Sequence, residues 1–200
     1  LPAQSLQGRA DTLNASLRLS AAPNHRLRLN ASYTHDERDN QTPIASYPSV
    51  STDMFVGLPR SNQAYSFTQD KFRLSADYRG PGSLKTSVGA DHDTRKRPQQ
   101  EAETTREATL WGRIGFQPDE KVTLALKGAH AQRTASDYLS VASIVPPENP
   151  LLRKYNMADR TRDTAGLRAD FAATENVSIG LSARKAGVEF YVCDAALKAC

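Results

Sequence analysis

The chain has few of the residues that build a compact soluble core. Of its 200 residues only 38% are hydrophobic and 7% aromatic, and the mean hydropathy is −0.58. This composition is polar for a globular domain of that length. It also contains no run of 18 apolar residues, which excludes a transmembrane helix. These absences argue against a compact domain with an ordinary hydrophobic core and against a helical membrane protein.

The sequence also lacks the motifs of common catalytic and metal sites. No phosphate-binding loop, HExxH or GxSxG motif is present. The four histidines are widely separated, and the only two cysteines, in CDAALKAC at residues 193–200, match neither a haem-attachment motif nor a zinc pair. We therefore predict that the chain is not an enzyme and binds no metal or cofactor itself. The chain starts at Leu1 without a Met or a signal peptide, so we expect a processed or internal piece.

Charge is spread along the chain rather than concentrated in one patch. The 26 basic and 22 acidic residues give a net charge of +4, and the absence of a basic cluster argues against a nucleic-acid partner. HDERDN at residues 35–40 is rich in oxygen donors but lacks the glycine and the distant glutamate of a calcium loop. We predict that it is a solvated cluster in a loop.

What the sequence does contain is strict alternation of apolar and polar residues in four paired segments. In TLNASLRLSA, residues 12–21, every second residue is Leu or Ala, and the pattern resumes after an APNH turn in RLRLNASYTH, residues 26–35. Such alternation predicts the two strands of a hairpin. Three similar pairs follow, with turns at GPGS, QPDEK and ATEN, over residues 71–90, 108–128 and 164–183.

Strand length and loop asymmetry favour a membrane barrel over a soluble sandwich. The alternation persists for about nine to twelve residues, as in tilted strands that cross a bilayer. Short turns alternate with long connections at about 36–66, 94–104 and 133–161. We predict an all-β fold, a transmembrane antiparallel up-and-down β-barrel of about eight strands in four hairpins, as part of a larger barrel. Residues 1–184 are assigned to the barrel domain and residues 185–200 to an atypical tail, truncated or frame-shifted.

The second face of these strands is rich in basic residues. A charge facing lipid near the bilayer midplane would cost about 2–4 kcal/mol, so we assign this face to the barrel lumen and the uncharged apolar face to lipid. Aromatic residues near strand ends predict a girdle at the membrane boundary, namely Tyr33, Phe67, Tyr78 and Phe116. The candidate lumen-facing bases for contact with a partner are Arg18, Arg28, Arg73, Lys85, Arg113, Lys127 and Arg168.

The stretch ENPLLRKYNMADR, residues 148–160, breaks the alternation. Pro150 and its irregular charge spacing argue against an amphipathic helix. We predict that it closes the longest but one of the connections and delivers Asp159–Arg162 to the start of a strand.

Several long segments together resemble one protein family. They are THDERDNQTPIASYPSV, YSFTQDKFRLSADYRGPGSLKTSVGAD, TTREATLWGRIGFQP and ENPLLRKYNMADRTRDTAGLRADFAATENVSIGLSA. In this order they resemble the MtrB/PioB family of decahaem-associated outer-membrane proteins, over about residues 25–184. The resemblance implies a large single-chain barrel of a Gram-negative outer membrane, with well over a dozen strands, that sheathes a multihaem c-type cytochrome.

The resemblance also implies partners and a role in electron transfer across the outer membrane. The expected partners are a periplasmic decahaem c-type cytochrome inserted in the barrel, an extracellular multihaem cytochrome docked outside, and lipid. Haem would be carried by the cytochrome, and the seven bases would attract its propionates and acidic surface. Two alternatives remain open at this stage. One is a general diffusion porin with a water-filled lumen, and the other is a soluble β-rich binding protein or adhesin.

Overall fold

A computed structural model describes residues 7–52, 55–138, 154–174 and 177–191. Within these ranges the chain forms ten β-strands, and none of the described segments is a helix long and apolar enough to cross a membrane. The strands are β1 (Ala10–Asn24), β2 (Leu27–Asn40), β3 (Ser46–Thr52), β4 (Phe55–Ser61), β5 (Phe67–Arg79), β6 (Lys85–Lys96), β7 (Thr104–Phe116), β8 (Val122–Ala135), β9 (Asp159–Thr174) and β10 (Val177–Tyr191).

Eight of these strands form one antiparallel up-and-down sheet. Its order is β1-β2-β5-β6-β7-β8-β9-β10, while β3 and β4 pair separately within the connection between β2 and β5. The predicted all-β fold of eight strands in four hairpins is confirmed. The outermost strands β1 and β10 do not pair with each other among the described residues, so the sheet is open. Open edges are expected of a section of a larger barrel, because a complete barrel has none.

Short polar turns join the strands at one end of the sheet. Asn24 Oδ1 accepts hydrogen bonds from the backbone N–H groups of Arg26 and Leu27, both at 2.9 Å, and so closes the β1–β2 turn. Asp119 Oδ1 closes the β7–β8 turn in the same way, at 2.8 and 2.9 Å. In the β5–β6 turn Gly82 has a φ of +66°, which glycine adopts without a Cβ clash. Side-chain oxygens that mimic a backbone turn explain the tight reversals.

The strands extend further toward the long connections than the sequence analysis predicted. HDERDN is part of β2 rather than a loop, because its backbone pairs with β1 as far as Ala10 and with β5 as far as Phe67. Pairing in this region depends on backbone hydrogen bonds, so it persists after the apolar pattern stops. β10 likewise runs past residue 184 to Tyr191. The boundary of the atypical tail stays a prediction, and both cysteines lie outside the described residues.

The aliphatic side chains of the sheet lie on one face and do not form an enclosed core. Leu74 is 59% exposed and Leu181 74%, and among the described residues no large side chain is fully buried. The pairing register places most of the large aliphatic residues of the eight strands on this one side, which we call the apolar face. A continuous exposed face of this size would aggregate in water and is expected where lipid covers it.

The apolar residues of this face form a band, the apolar band, which crosses the sheet obliquely. On β1 it is centred on Leu17, and successive strand pairs lead from Leu17 to Glu189 on β10. The apolar residues of β10 are centred near Leu181, eight positions from Glu189. With a rise of about 3.3 Å per residue and a strand spacing of about 4.8 Å, this displacement over seven strand steps corresponds to a tilt of about 38°. Strands of outer-membrane barrels are tilted by about 35–45°.

One member of the predicted aromatic girdle lies on the opposite face. Phe67 shares its face with Gln69 and Lys71, and its ring lies under the guanidinium of Arg95, 4.7 Å from Cζ to the ring centroid. Tyr33, by contrast, is on the apolar face and packs against Phe72 at 4.7 Å between ring centroids. The prediction for Phe67 was wrong because Phe67 lies an odd number of positions from Phe72, and neighbouring positions point to opposite faces.

Candidate functional site: the polar face of the sheet

The second face of the sheet, which we call the polar face, is dominated by bases. Alternation and pairing register define its members on every strand. Its acids are Asp36, Asp77, Asp91, Asp93, Glu107 and Asp170. Its more numerous bases are Arg18, Arg28, Arg38, Lys71, Arg73, Arg79, Lys85, Arg95, Arg113, Lys127, Arg133, Arg160, Arg162, Arg168 and Arg184. The summed positive charge would attract an acidic surface.

All seven bases singled out from the sequence lie on this face, and several lie near one another. Arg113 on β7 pairs directly with Lys127 on β8, and the same row reaches Arg28 on β2 through β6 and β5. Arg18 and Arg73 both flank the same residue of β2 in a row closer to the long connections. The remaining two, Lys85 and Arg168, share a row near the short turns.

Six of these seven bases form no salt bridge with any described residue. The exception is Arg168, whose Nε and Nη2 donate to the carboxylate of Asp170 at 2.7 and 2.9 Å. Asp77, the acid nearest Arg28, is already hydrogen-bonded by Asn30 at 2.9 Å and Ser87 at 2.6 Å. With fifteen bases against six acids, the described part of the polar face keeps an excess of positive charge.

Between its basic rows the described part of the polar face holds one large aromatic residue. Trp111 on β7 lies against Gly89 on β6, and its Nε1 is 3.4 Å from Asp91 Oδ1. A Cβ at Gly89 would overlap the indole ring, so this glycine provides the space in which the ring lies. Most neighbouring side chains on this face are small, including Ser75, Thr109, Ala129 and Thr164. The middle of the polar face therefore carries mostly short side chains beside the indole of Trp111.

Toward the long connections the polar face ends in a group of arginines that the sequence analysis did not identify. Arg97 and Arg133 are each only 8% exposed. Arg160 and Arg162 both contact Glu107, at 2.7 and 3.5 Å. These four residues together with Arg95 form the loop-end arginine cluster. The sequence contains a signal for these arginines, because the alternation continues through Arg133 and again from Arg160 onward. Both segments had been assigned to a long connection.

The final turn of the β8–β9 connection is folded against this cluster. Arg133 donates from Nε to the carbonyl oxygen of Ala158 at 2.9 Å and from Nη2 to that of Tyr155. On the other side of the turn, Lys154 donates to Glu101, which is 5% exposed. Burial raises the pKa of Glu101, but the hydrogen bonds from Lys154 and from a backbone N–H, with the charge of Lys154, outweigh it and hold that pKa below its ordinary value.

This geometry confirms the prediction for the end of ENPLLRKYNMADR. Residues 154–158 form a turn, and β9 begins at Asp159. Asp159 Oδ1 accepts a hydrogen bond from the backbone N–H of Ala135 at 2.6 Å, which joins the two ends of the connection. Residues 148–153 lie outside the described part of the chain.

An open sheet of long strands, with one lipid-compatible face and one charged face, defines a section of an outer-membrane β-barrel. Comparison with known proteins gives the particular family. The family described as outer membrane beta-barrel porin, MtrB/PioB, matches residues 1–191. The chain is also 32% identical over 186 residues to "Outer membrane protein MtrB" of Shewanella baltica (strain OS185), which covers 93% of this chain. The chain belongs to the MtrB/PioB family.

Membership of this family bears on the location of the chain and on its class. It places the chain in the outer membrane and thereby overturns the alternative of a soluble adhesin. The family is one of porin-like barrels rather than an enzyme family. In a barrel of this kind the apolar face meets lipid and the polar face lines the lumen. The chain spans only 27% of the length of the curated relative that it matches.

Proposed function

We propose that this chain is part of an outer-membrane barrel that encloses and positions a multihaem c-type cytochrome for electron transfer across the membrane. The cytochrome carries the haem, while the chain binds none and has no catalytic role of its own. A periplasmic decahaem cytochrome occupies the lumen, and an extracellular multihaem cytochrome docks at the outside. Membership of the MtrB/PioB family supports this proposal, since the resemblance of the sequence to this family implies such a partner.

The observation that carries the proposal is the excess of positive charge on the polar face. If the bases served only to line a porin, they would be expected to pair with the acids beside them. Instead Arg73, Arg113 and Lys127 take part in none of the salt bridges among the described residues, and in the proposed barrel they face negative groups in the lumen. Haem propionates and acidic side chains of a cytochrome are such groups, and complementary charge positions a partner at close range.

Charge reversal on the polar face tests this role. Arg73→Glu with Arg113→Glu should reduce the amount of cytochrome that co-purifies with the full-length barrel several-fold, and raising the salt concentration should produce a similar loss in the wild type. The matched control is Lys96→Glu with Arg106→Glu, which makes the same change in net charge on exposed positions of the opposite face. Equal retention in both double variants would contradict the electrostatic role.

A water-filled diffusion porin is the second candidate, and the description of the family as porin favours it. The two functions differ in what fills the lumen. The full-length barrel, purified without a cytochrome and placed in planar bilayers, should conduct small ions strongly if it is a diffusion porin. A barrel that acts as a sheath should instead lose most of its conductance once the cytochrome is added. Unchanged conductance with bound cytochrome would argue for the porin.

A further inference from the structure

The polar face contains a cleft of about 380 Å³ beside the loop-end arginine cluster. It lies between the turn that precedes β9 and those ends of β5 to β8 that are nearest the long connections. Its positive groups are Arg38, Arg95, Arg97 and Arg133, and Phe67 forms an aromatic part of its wall. The cleft is thus a confined and largely cationic space, at the end of the polar face that is nearest the long connections.

The arginines of the cleft are held in place by neutral groups. Arg97 donates from Nη1 to Thr105 Oγ1 at 3.1 Å, and Arg133 is fixed by two backbone carbonyl oxygens. Arg95 lies over the ring of Phe67. Its Nε is buried and has no hydrogen-bond partner among the described residues. None of these contacts is with a carboxylate, so none of them cancels the positive charge of its arginine.

The two carboxylates that line the cleft offset the charge of its four arginines only in part. Glu107 is engaged by Arg160 and Arg162. The carboxylate of Asp93 accepts a hydrogen bond from Gln69 Nε2 at 2.8 Å, and its Oδ2 lies 3.9 Å from Lys71 Nζ. Burial lowers the pKa of the Arg97 guanidinium, and the charges of Arg95 and Arg133 lower it further, against a smaller opposite effect of Asp93. Three cations brought together at a buried position repel one another, and an anion among them would relieve this repulsion.

We propose that this cleft is a binding site for an oxyanion of the phosphate or carboxylate class. Arg97 and Arg133 would bind it from the wall and Arg95 from the side of Phe67, because the planar fork of a guanidinium matches the oxygens of such anions. The oxyanion could be free phosphate or a carboxylate carried by another molecule, and both present the same oxygen geometry. The site does not depend on the sheath function, since its residues are distinct from the reversed pair Arg73 and Arg113.

Calorimetric titration of the full-length barrel in detergent micelles tests the site. Sodium phosphate and sodium propionate are added in separate arms near neutral pH, with chloride keeping the ionic strength constant. We expect saturable binding in the wild type and roughly tenfold or greater weakening in Arg97→Gln, since a hydrogen bond to a charged group contributes about 1.5–3 kcal/mol. Arg95→Gln removes a less buried member and serves if the Arg97 variant does not fold. Arg106→Gln, which changes an exposed arginine on the opposite face of the sheet, is the matched control.

The outcomes separate the sources and the alternatives. Tighter phosphate binding identifies free phosphate as the ligand, whereas equal or tighter propionate binding identifies a carboxylate. The proposal is overturned if neither anion gives saturable heat beyond chloride, or if Arg106→Gln weakens binding as much as Arg97→Gln. Cytochrome retention in the Arg73 and Arg113 variants is a separate measurement, so failure of one proposal leaves the other standing.

Discussion

Arg133 on β8 donates a hydrogen bond from Nε to the carbonyl oxygen of Ala158, 2.9 Å away, across the start of β9. A second bond reaches the carbonyl oxygen of Tyr155. A single buried guanidinium therefore satisfies two backbone groups of the turn that ends the β8–β9 connection. This turn also places Asn156 in the wall of the oxyanion cleft. The position of the connection and the shape of the cleft therefore both depend on Arg133.

Replacing Arg133 by Gln should release this turn. Loss of the two charged hydrogen bonds costs about 1.5–3 kcal/mol locally, and cleavage by trypsin after Lys154 should accelerate roughly 10- to 100-fold where local opening limits cleavage. Limited proteolysis followed by mass spectrometry of the peptide that begins at Tyr155 gives the rate. Arg113→Gln removes a polar-face arginine far from the turn and should leave it unchanged. Equal acceleration in both variants would show that the effect is general destabilisation.

Glu101 should make the same turn sensitive to acid. Its pKa in the folded protein lies below the ordinary value of 4.5, so its contribution to stability is complete above that value and is lost as pH falls through the lower, folded pKa. Hydrogen exchange of the turn should therefore be slower in the wild type than in Glu101→Gln at neutral pH. This difference should shrink on acidification, and a difference that is constant with pH would contradict the assignment. The exposed Glu103→Gln is the control.

Gly89 should tolerate no side chain while Trp111 is present. A Cβ at Gly89 would overlap the indole and approach the carbonyl oxygen of Leu74 at 2.7 Å. We expect Gly89→Ala to destabilise the barrel by about 1–3 kcal/mol, the usual cost of overpacking, as measured by urea unfolding in lipid vesicles. Adding Trp111→Ala should restore part of the loss in a double-mutant cycle. Gly112→Ala is the control, because its nearest heavy atom is 4.0 Å from the Cβ position.

The hairpins and their faces could be predicted from sequence because period-two alternation is itself the cause of the two-faced sheet. In β7, for example, Leu110 and Ile114 lie on one side and Arg113 on the other. The ends of the strands were predicted less well. Beyond the lipid-facing band both faces are polar, so HDERDN carries no apolar period, although its backbone pairs fully with two neighbours.

The loop-end arginine cluster depends on contacts that a linear sequence does not display. Arg97 follows β6, and Arg133 and Arg160 come from β8 and β9, so their proximity follows from register across several strands. The bond of Arg133 to Ala158 joins residues 25 positions apart. No local pattern encodes that bond, whereas the extended alternation would have identified which face each arginine occupies.

The oblique path of the apolar band predicts which positions lie at the middle of the bilayer. Leu17 and Leu181 should lie at the same depth, although Leu17 is in register with Thr161 on β9 rather than with Leu181. Arg substituted at either leucine should therefore destabilise the full-length barrel by about 2–4 kcal/mol, against about 0–1 kcal/mol for Thr161→Arg, because the cost of a lipid-facing charge falls toward the interface. Urea unfolding in lipid vesicles measures these differences. If Thr161→Arg cost as much as Leu17→Arg, depth would follow the hydrogen-bonded rows, and the strands would run along the membrane normal instead of at about 38° to it.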